Sequence, residues 1–176
     1  MDTSTAEYEA ILYDLDGTLV RLAVDWTAVE REIATVLRTA GADPDGLVTW
    51  DLLDAADAVG VREEVEAILA RHEREGARRA DRLPLADALL DDEVPTGVVS
   101  LNAEAAVRIA LEKESLLEAV DVVVGRDTVD ARKPDPEPVL AALDVLSVAP
   151  EDALFVGDSE TDEQAAERAG VAFRRV

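Results

Sequence analysis

An open parallel α/β sheet carrying a small helical insertion is the fold class this sequence predicts, on three observations. Short apolar runs recur without polar alternation, helix-period stretches separate the later ones, and a long stretch with no strand-like run follows the first. Strands buried on both faces read as unbroken apolar runs, whereas half-exposed strands alternate. Strand–helix–strand repetition then implies parallel pairing with helices on the sheet faces.

The elements follow in chain order. Ala10-Ile11-Leu12-Tyr13 is the first run, and nothing strand-like recurs before Gly97. Within that gap Val29 to Thr39 and Val61 to Arg82 predict amphipathic helices, with Leu47 to Val59 a weaker third. Asp43-Pro44-Asp45-Gly46 is a turn signal between them. Residues 22–83 therefore form a small helical insertion, and residues 1–21 with 84–176 form the core. Gly97-Val98-Val99-Ser100-Leu101 is the second strand, and Ala103 to Glu118 repeats apolar residues at helical spacing. Val120-Asp121-Val122-Val123-Val124 is the third. Pro136 and Pro138 suit the first turn of a helix running to about Ser147. Ala153-Leu154-Phe155-Val156 is the fourth strand. A helix from Thr161 to Ala169 stops at Gly170, and Val171-Ala172-Phe173 closes the chain.

Composition bounds the function. The 176 residues suffice for one core with an inserted module, and apolar residues make up 48% against 3% aromatics, so the core is mostly Val, Leu, Ile and Ala. There is no Cys, hence no disulfide, thiolate nucleophile or zinc–thiolate site. No apolar run approaches the roughly 18 residues of a membrane span, and Met1 to Glu7 is acidic and lacks the parts of a secretory signal. The expectation is a cytoplasmic protein with no membrane partner. Forty acids face 17 bases, for a net charge of −23. Of the bases only Lys113 and Lys133 are lysine. So large a charge repels nucleic acid, and no basic, aromatic-rich stretch offers it a binding surface. Molar salt shortens the Debye length to about 3 Å and removes most of the self-repulsion. Acid excess with lysine depletion resembles the proteins of salt-in halophilic archaea.

The chemistry gathers at the carboxyl ends of the strands, where open parallel sheets bind ligands. Asp14-Leu15-Asp16-Gly17-Thr18 follows the first strand, Ser100 ends the second, Lys133 lies in the loop after the third, and Gly157-Asp158-Ser159-Glu160-Thr161-Asp162 follows the fourth. Two carboxylates about 4 Å apart repel by roughly 4 kcal/mol at an effective dielectric of 20, so a fold gathers four only around a cation. An all-oxygen donor set that leaves room for water and phosphate suits Mg²⁺. Mg²⁺ and Lys133 return three of the four negative charges, and protonation of Asp16 brings the site close to neutral. Such a site admits a phosphate. Asp43-Pro44-Asp45-Gly46 has a similar pattern but no strand before it, and reads as a turn alone.

These four segments occur in the order and strand positions of the motifs of the haloacid dehalogenase superfamily. The chain resembles its phosphoglycolate phosphatase-like members, which insert a helical cap after the first motif on a Rossmann-like core. The resemblance implies that Asp14 attacks phosphorus to form an aspartyl phosphate. Asp16 would protonate the leaving alcohol and then activate water, its backbone carbonyl binding Mg²⁺. Ser100, with nearby backbone at Gly17, Thr18 and Leu101, would hold phosphoryl oxygens, and Lys133 would neutralise charge between nucleophile and phosphate. Asp158 would ligate Mg²⁺, with Asp162 helping directly or through water. The reaction implied is hydrolysis of a small phosphorylated metabolite.

The sequence departs from the pattern in places. Many relatives carry Asn directly after the second-motif hydroxyl, whereas here Leu101 intervenes before Asn102; Arg21 stands where relatives often have Asp; and the insertion is short for its type. His72, Arg74, Arg78, Arg79 and Arg82 lie on one insertion helix, either as a solvated face with i,i+4 pairing or with one of them reading a second anionic group of the substrate. Asp16 argues against a dehalogenase, which has no alcohol to protonate, and the absence of lysine from the insertion argues against Schiff-base phosphonate hydrolysis. A phosphomutase of the β-phosphoglucomutase type and an idle binding protein on the same fold are the alternatives. Oligomeric state is not written in the sequence.

Overall fold

The computed structural model describes residues 7–176. The acidic opening read as lacking a secretory signal falls largely in residues 1–6, outside the described residues, as does the start of the core segment. The described residues form a five-stranded parallel sheet ordered β5-β4-β1-β6-β7, built from β1 (Ala10–Tyr13), β4 (Thr96–Val99), β5 (Val122–Val124), β6 (Ala153–Gly157) and β7 (Ala172–Arg175). The expected open parallel α/β sheet is therefore present. β1 is central, with β4 and β6 on either side, so the winding direction reverses at β1 and a crevice opens at its carboxyl end.

All four residues of β1 are buried, which is why that run does not alternate. Ile11, Tyr13, Val98, Leu154 and Val156 pack one sheet face against α4 (Leu85–Leu90) and α5 (Glu104–Lys113). Ala10, Leu12, Val99 and Phe155 pack the other against α6 (Glu137–Leu146) and α7 (Glu160–Ala169). Phe155 meets Phe173 edge to face at 6.1 Å.

Helices α1 (Trp26–Thr39), α2 (Thr49–Val59) and α3 (Arg62–Ala77) lie between β1 and β4 and share a separate apolar cluster around Ile33, Leu37, Leu53, Val65 and Leu69. Two short strands that the sequence does not announce, β2 (Val20–Arg21) and β3 (Asp81–Arg82), pair antiparallel where the chain leaves and re-enters the core. That pairing corrects the helix expected from Val61 to Arg82. The helix ends at Ala77, and Arg82 is drawn into the ladder, with its guanidinium bonded to Asp87 and to the Glu114 carbonyl. The helix expected from Ala103 to Glu118 stops at Lys113 for a similar local reason. Ser115 takes φ +58°, the Ser115 and Leu116 N–H groups bond back to the Glu112 and Leu111 carbonyls, and Leu116 is buried. In the Asp43–Gly46 turn, Gly46 has φ +82° and Arg38 pairs with Asp45 at 2.6 Å, both exposed. No helix among the described residues is long and apolar enough to cross a membrane.

Candidate active site

Asp14 stands at the carboxyl end of β1, its own N–H donating to the Val156 carbonyl of β6 at 2.9 Å. The chain then turns back sharply, with the Leu15 carbonyl accepting the N–H groups of Thr18, Leu19 and Val20. Gly17 has φ +91°, a conformation that favours glycine, and a Cβ there would lie 2.2 Å from Asp158 Oδ2. Gly157 plays the same part at the end of β6, where a Cβ would lie 2.6 Å from Asp162 Oδ2.

Lys133 converges on this point from the loop after β5. Its Nζ donates to Asp14 Oδ1 at 2.8 Å, to the Val99 carbonyl at 2.9 Å and to Asp162 Oδ1 at 2.5 Å. The other Asp162 oxygen accepts the Ser159 N–H and hydroxyl, closing a capping box at the start of α7. Carboxylate oxygens of Asp14, Asp158 and Asp162 lie within 4.8 Å of one another, Asp158 exposed and the other two buried. Asp16 turns elsewhere: its Oδ1 accepts the Leu22 N–H at 2.8 Å. An all-oxygen trio at this spacing beside a cavity fits a hard divalent cation such as Mg²⁺. Asp158 has the freest oxygens, because both Asp162 oxygens already have partners.

Burial decides the protonation of the pair. It pushes the Asp14 carboxyl up to about 6 against the pull of Lys133, with Asp162 adding to the rise. Burial alone would lower Lys133, but Asp14 and Asp162 more than reverse it and hold the ammonium above its ordinary value. Asp16 is also raised, chiefly by burial, with the Leu22 N–H opposing.

Ser100 follows β4, its hydroxyl donating to Asn102 Oδ1 at 3.1 Å while accepting the Asn102 N–H. Asp14, Asp16, Ser100, Leu101, Lys133, Asp158 and Asp162 all line one cavity of about 290 Å³. Gly17 and Thr18, expected on the phosphate, do not line it. Their backbone N–H groups bond to the Val20 and Leu15 carbonyls within the turn, which leaves neither donor for a ligand, and Thr18 Oγ1 is buried without a partner.

Sequence reasoning missed the residues that join the insertion to this site. Trp26 and Trp50, at the starts of α1 and α2, complete the cavity wall. Behind Trp50, the Arg126 guanidinium sits 5.8 Å from the indole centroid. Its Nη1 donates to Glu73 Oε1 at 2.6 Å and to the Leu101 carbonyl at 2.7 Å, its Nη2 to Glu73 Oε2 at 3.1 Å, and its Nε to Glu66 at 2.9 Å. Glu73 also accepts the Ala103 N–H at 3.0 Å. Nothing in a helix full of Glu and Arg marks Glu73 as its buried acid. The insertion bases named earlier turn away from the cavity: His72 meets Glu32, and Arg82 meets Asp87. None of them lines this wall, and the pairs that His72 and Arg82 make are not the i,i+4 pairs expected along the helix.

Comparison with known proteins adds an independent line. The family model of haloacid dehalogenase-like hydrolases matches residues 54–176. A phosphoglycolate phosphatase of Rhodospirillum rubrum is 34% identical over 185 residues, spanning 93% of this chain and 77% of that protein. Another, from Aquifex aeolicus, is 32% identical over 174 residues, spanning 91% and 80%. Both sources are bacteria and lend nothing to the halophilic archaeal origin that the composition suggested. Among solved structures, a subfamily IA hydrolase of this superfamily from Geobacter sulfurreducens superposes with a TM-score of 0.63 at 26% identity, over 94% of this chain and 88% of that one. A β-phosphoglucomutase from Clostridium difficile shares the fold with a TM-score of 0.67 at 20% identity, over 94% and 83%.

Proposed function

The chain belongs to the haloacid dehalogenase-like hydrolase family and is a phosphatase, and we propose that it hydrolyses a small phosphorylated metabolite with Mg²⁺ through an aspartyl phosphate on Asp14. The observation that carries this reading is Asp14 Oδ1 held 2.8 Å from Lys133 at the end of the central strand, with Asp158 and Asp162 oxygens beside it.

Asp14 attacks phosphorus, and Lys133 offsets the charge that builds between carboxylate and phosphoryl group. Asp16, whose burial favours the protonated form, gives a proton to the departing alkoxide. As a carboxylate it then takes a proton from the water that cleaves the acyl phosphate. Ser100 and the backbone near Leu101 hold phosphoryl oxygens. Asp158 and Asp14 would hold the Mg²⁺, with Asp162 acting from behind through Lys133 and Ser159; the bound ion supplies positive charge to the phosphoryl oxygens. Residues 22–83 serve as the cap over a core of residues 1–21 and 84–176, and the acidic surface suits a salt-rich cytoplasm.

The test is a panel of phosphorylated metabolites with Mg²⁺ in molar KCl, read as released phosphate. Wild type releases phosphate and loses the activity in excess EDTA, and Asp14→Asn is inert. Full activity in EDTA, or in Asp14→Asn, refutes the reading. Isomerised substrate without free phosphate identifies a mutase instead.

A further inference from the structure

The phosphatase relatives are named for phosphoglycolate, whose leaving alcohol carries a carboxylate. The cavity of this chain has no place for that second charge. Four aspartates and Lys133 line it, and Lys133 is already committed to Asp14 and Asp162. Among the described residues no other Lys, Arg or His lines the wall. Arg126, 5.8 Å from the Trp50 indole centroid, does not line the wall and is shared between two carboxylates. Arg21, whose charge reaches Asp16, is exposed on β2 and outside the wall. A carboxylate entering here would leave water for an acid-rich pocket with no partner of its own.

What the wall offers away from the phosphate is different. Trp26 and Trp50, the only tryptophans in the chain, both line this cavity, and its wall also carries the uncharged Asn102, Ser159 and Thr161. Indole faces take the apolar face of a ring, and hydroxyl and amide groups take hydroxyls.

Resting on the phosphatase reading, we propose that the substrate is the phosphate monoester of an uncharged, ring-bearing alcohol, selected by Trp26 and Trp50, and that phosphoglycolate is a poor substrate. The measurement is kcat/KM for 2-phosphoglycolate, for 2-hydroxyethyl phosphate, its neutral counterpart, and for hexose 6-phosphates and 4-nitrophenyl phosphate. All run with Mg²⁺ in 1 M KCl, where screening within about 3 Å removes the long-range repulsion of a −23 protein and leaves the local wall. Hydroxyethyl phosphate is expected to exceed phosphoglycolate by about tenfold or more, the scale of one unmet polar partner in a site. At least one ring-bearing ester exceeds both. In Trp26→Ala and in Trp50→Ala the ratio of ring-bearing to hydroxyethyl ester falls towards one, chiefly through KM. Phosphoglycolate turnover equal to or above its neutral counterpart, abolished by Asp14→Asn, overturns this inference and leaves the phosphatase standing. A ratio unmoved in both tryptophan variants overturns the selecting role. No phosphate from any ester sinks the phosphatase reading and this inference together.

Discussion

Replacing Arg126 with Met tests the junction between insertion and core. The Arg126 and Glu73 side chains are 2% and 0% exposed, so the substitution strands a carboxylate that water cannot reach. Removing one partner of a buried pair costs about 3–5 kcal/mol, whereas replacing both with apolar groups of similar volume is often close to neutral. For a chain of this length about 2–4 °C of melting temperature accompanies each kcal/mol, so Arg126→Met should melt lower by roughly 6–20 °C. The Arg126→Met/Glu73→Met double variant should recover at least half of the loss, although the Ala103 N–H then also lacks its acceptor. Arg38→Ala is the control: its pair with Asp45 is 57% and 76% exposed and worth at most about 1 kcal/mol. The assay is thermal melting in 2 M KCl followed by circular dichroism. A loss in Arg126→Met no greater than that in Arg38→Ala, or a double variant at or below the sum of its singles, refutes the account.

Three further outcomes follow from the site and the surface. Asp14 keeps its proton in the metal-free fold up to about 6, against an ordinary 3.8; the native state therefore binds the extra proton, and stability falls as pH rises from about 4 to about 6. Metal-free Asp14→Asn should accordingly melt above wild type at pH 8 and lose that advantage at pH 5, and an equal advantage at both values refutes the assignment. Gly17→Ala should lose at least about tenfold in activity, since its Cβ would lie 2.2 Å from Asp158 Oδ2 and displace the freest metal-binding oxygens; unchanged kinetics with unchanged Mg²⁺ affinity would show that the contact does not matter. Melting temperature at constant Mg²⁺ should climb steeply between tens of millimolar and molar KCl as the charge of −23 is screened, and a flat curve separates the acidic surface from adaptation to salt.

Much of the core was legible because burial on both faces leaves a one-dimensional trace. Ala10–Tyr13 and Ala153–Gly157 are unbroken apolar runs, and the acids that follow them stand out by position. Convergence of Asp14, Lys133 and Asp162 was readable for the same reason: parallel strands present their carboxyl ends on one edge. β2 and β3 were not readable, since two residues make no period, and neither was the six-residue α4. The hydrogen bonds that occupy the Gly17 and Thr18 N–H groups were not readable, because a D-x-D-G-T segment does not reveal how its turn is closed. Glu73, Arg126 and the two tryptophans escaped because their meaning lies in packing between segments far apart in sequence.

The β2–β3 ladder has a consequence for how such a protein can change. It sets the exit and the return of the insertion side by side, Val20 opposite Arg82 and Arg21 opposite Asp81. A module whose two ends are neighbours can lengthen, shrink or be exchanged without shifting a sheet strand. The reacting groups stay on the strand ends while the walls are redrawn, so a lineage can inherit its chemistry and its selectivity separately. Arg126 limits that freedom. Any replacement module has to bring an acid to the place of Glu73, or leave a buried guanidinium unmatched, and so this one ion pair acts as a compatibility key between the two halves.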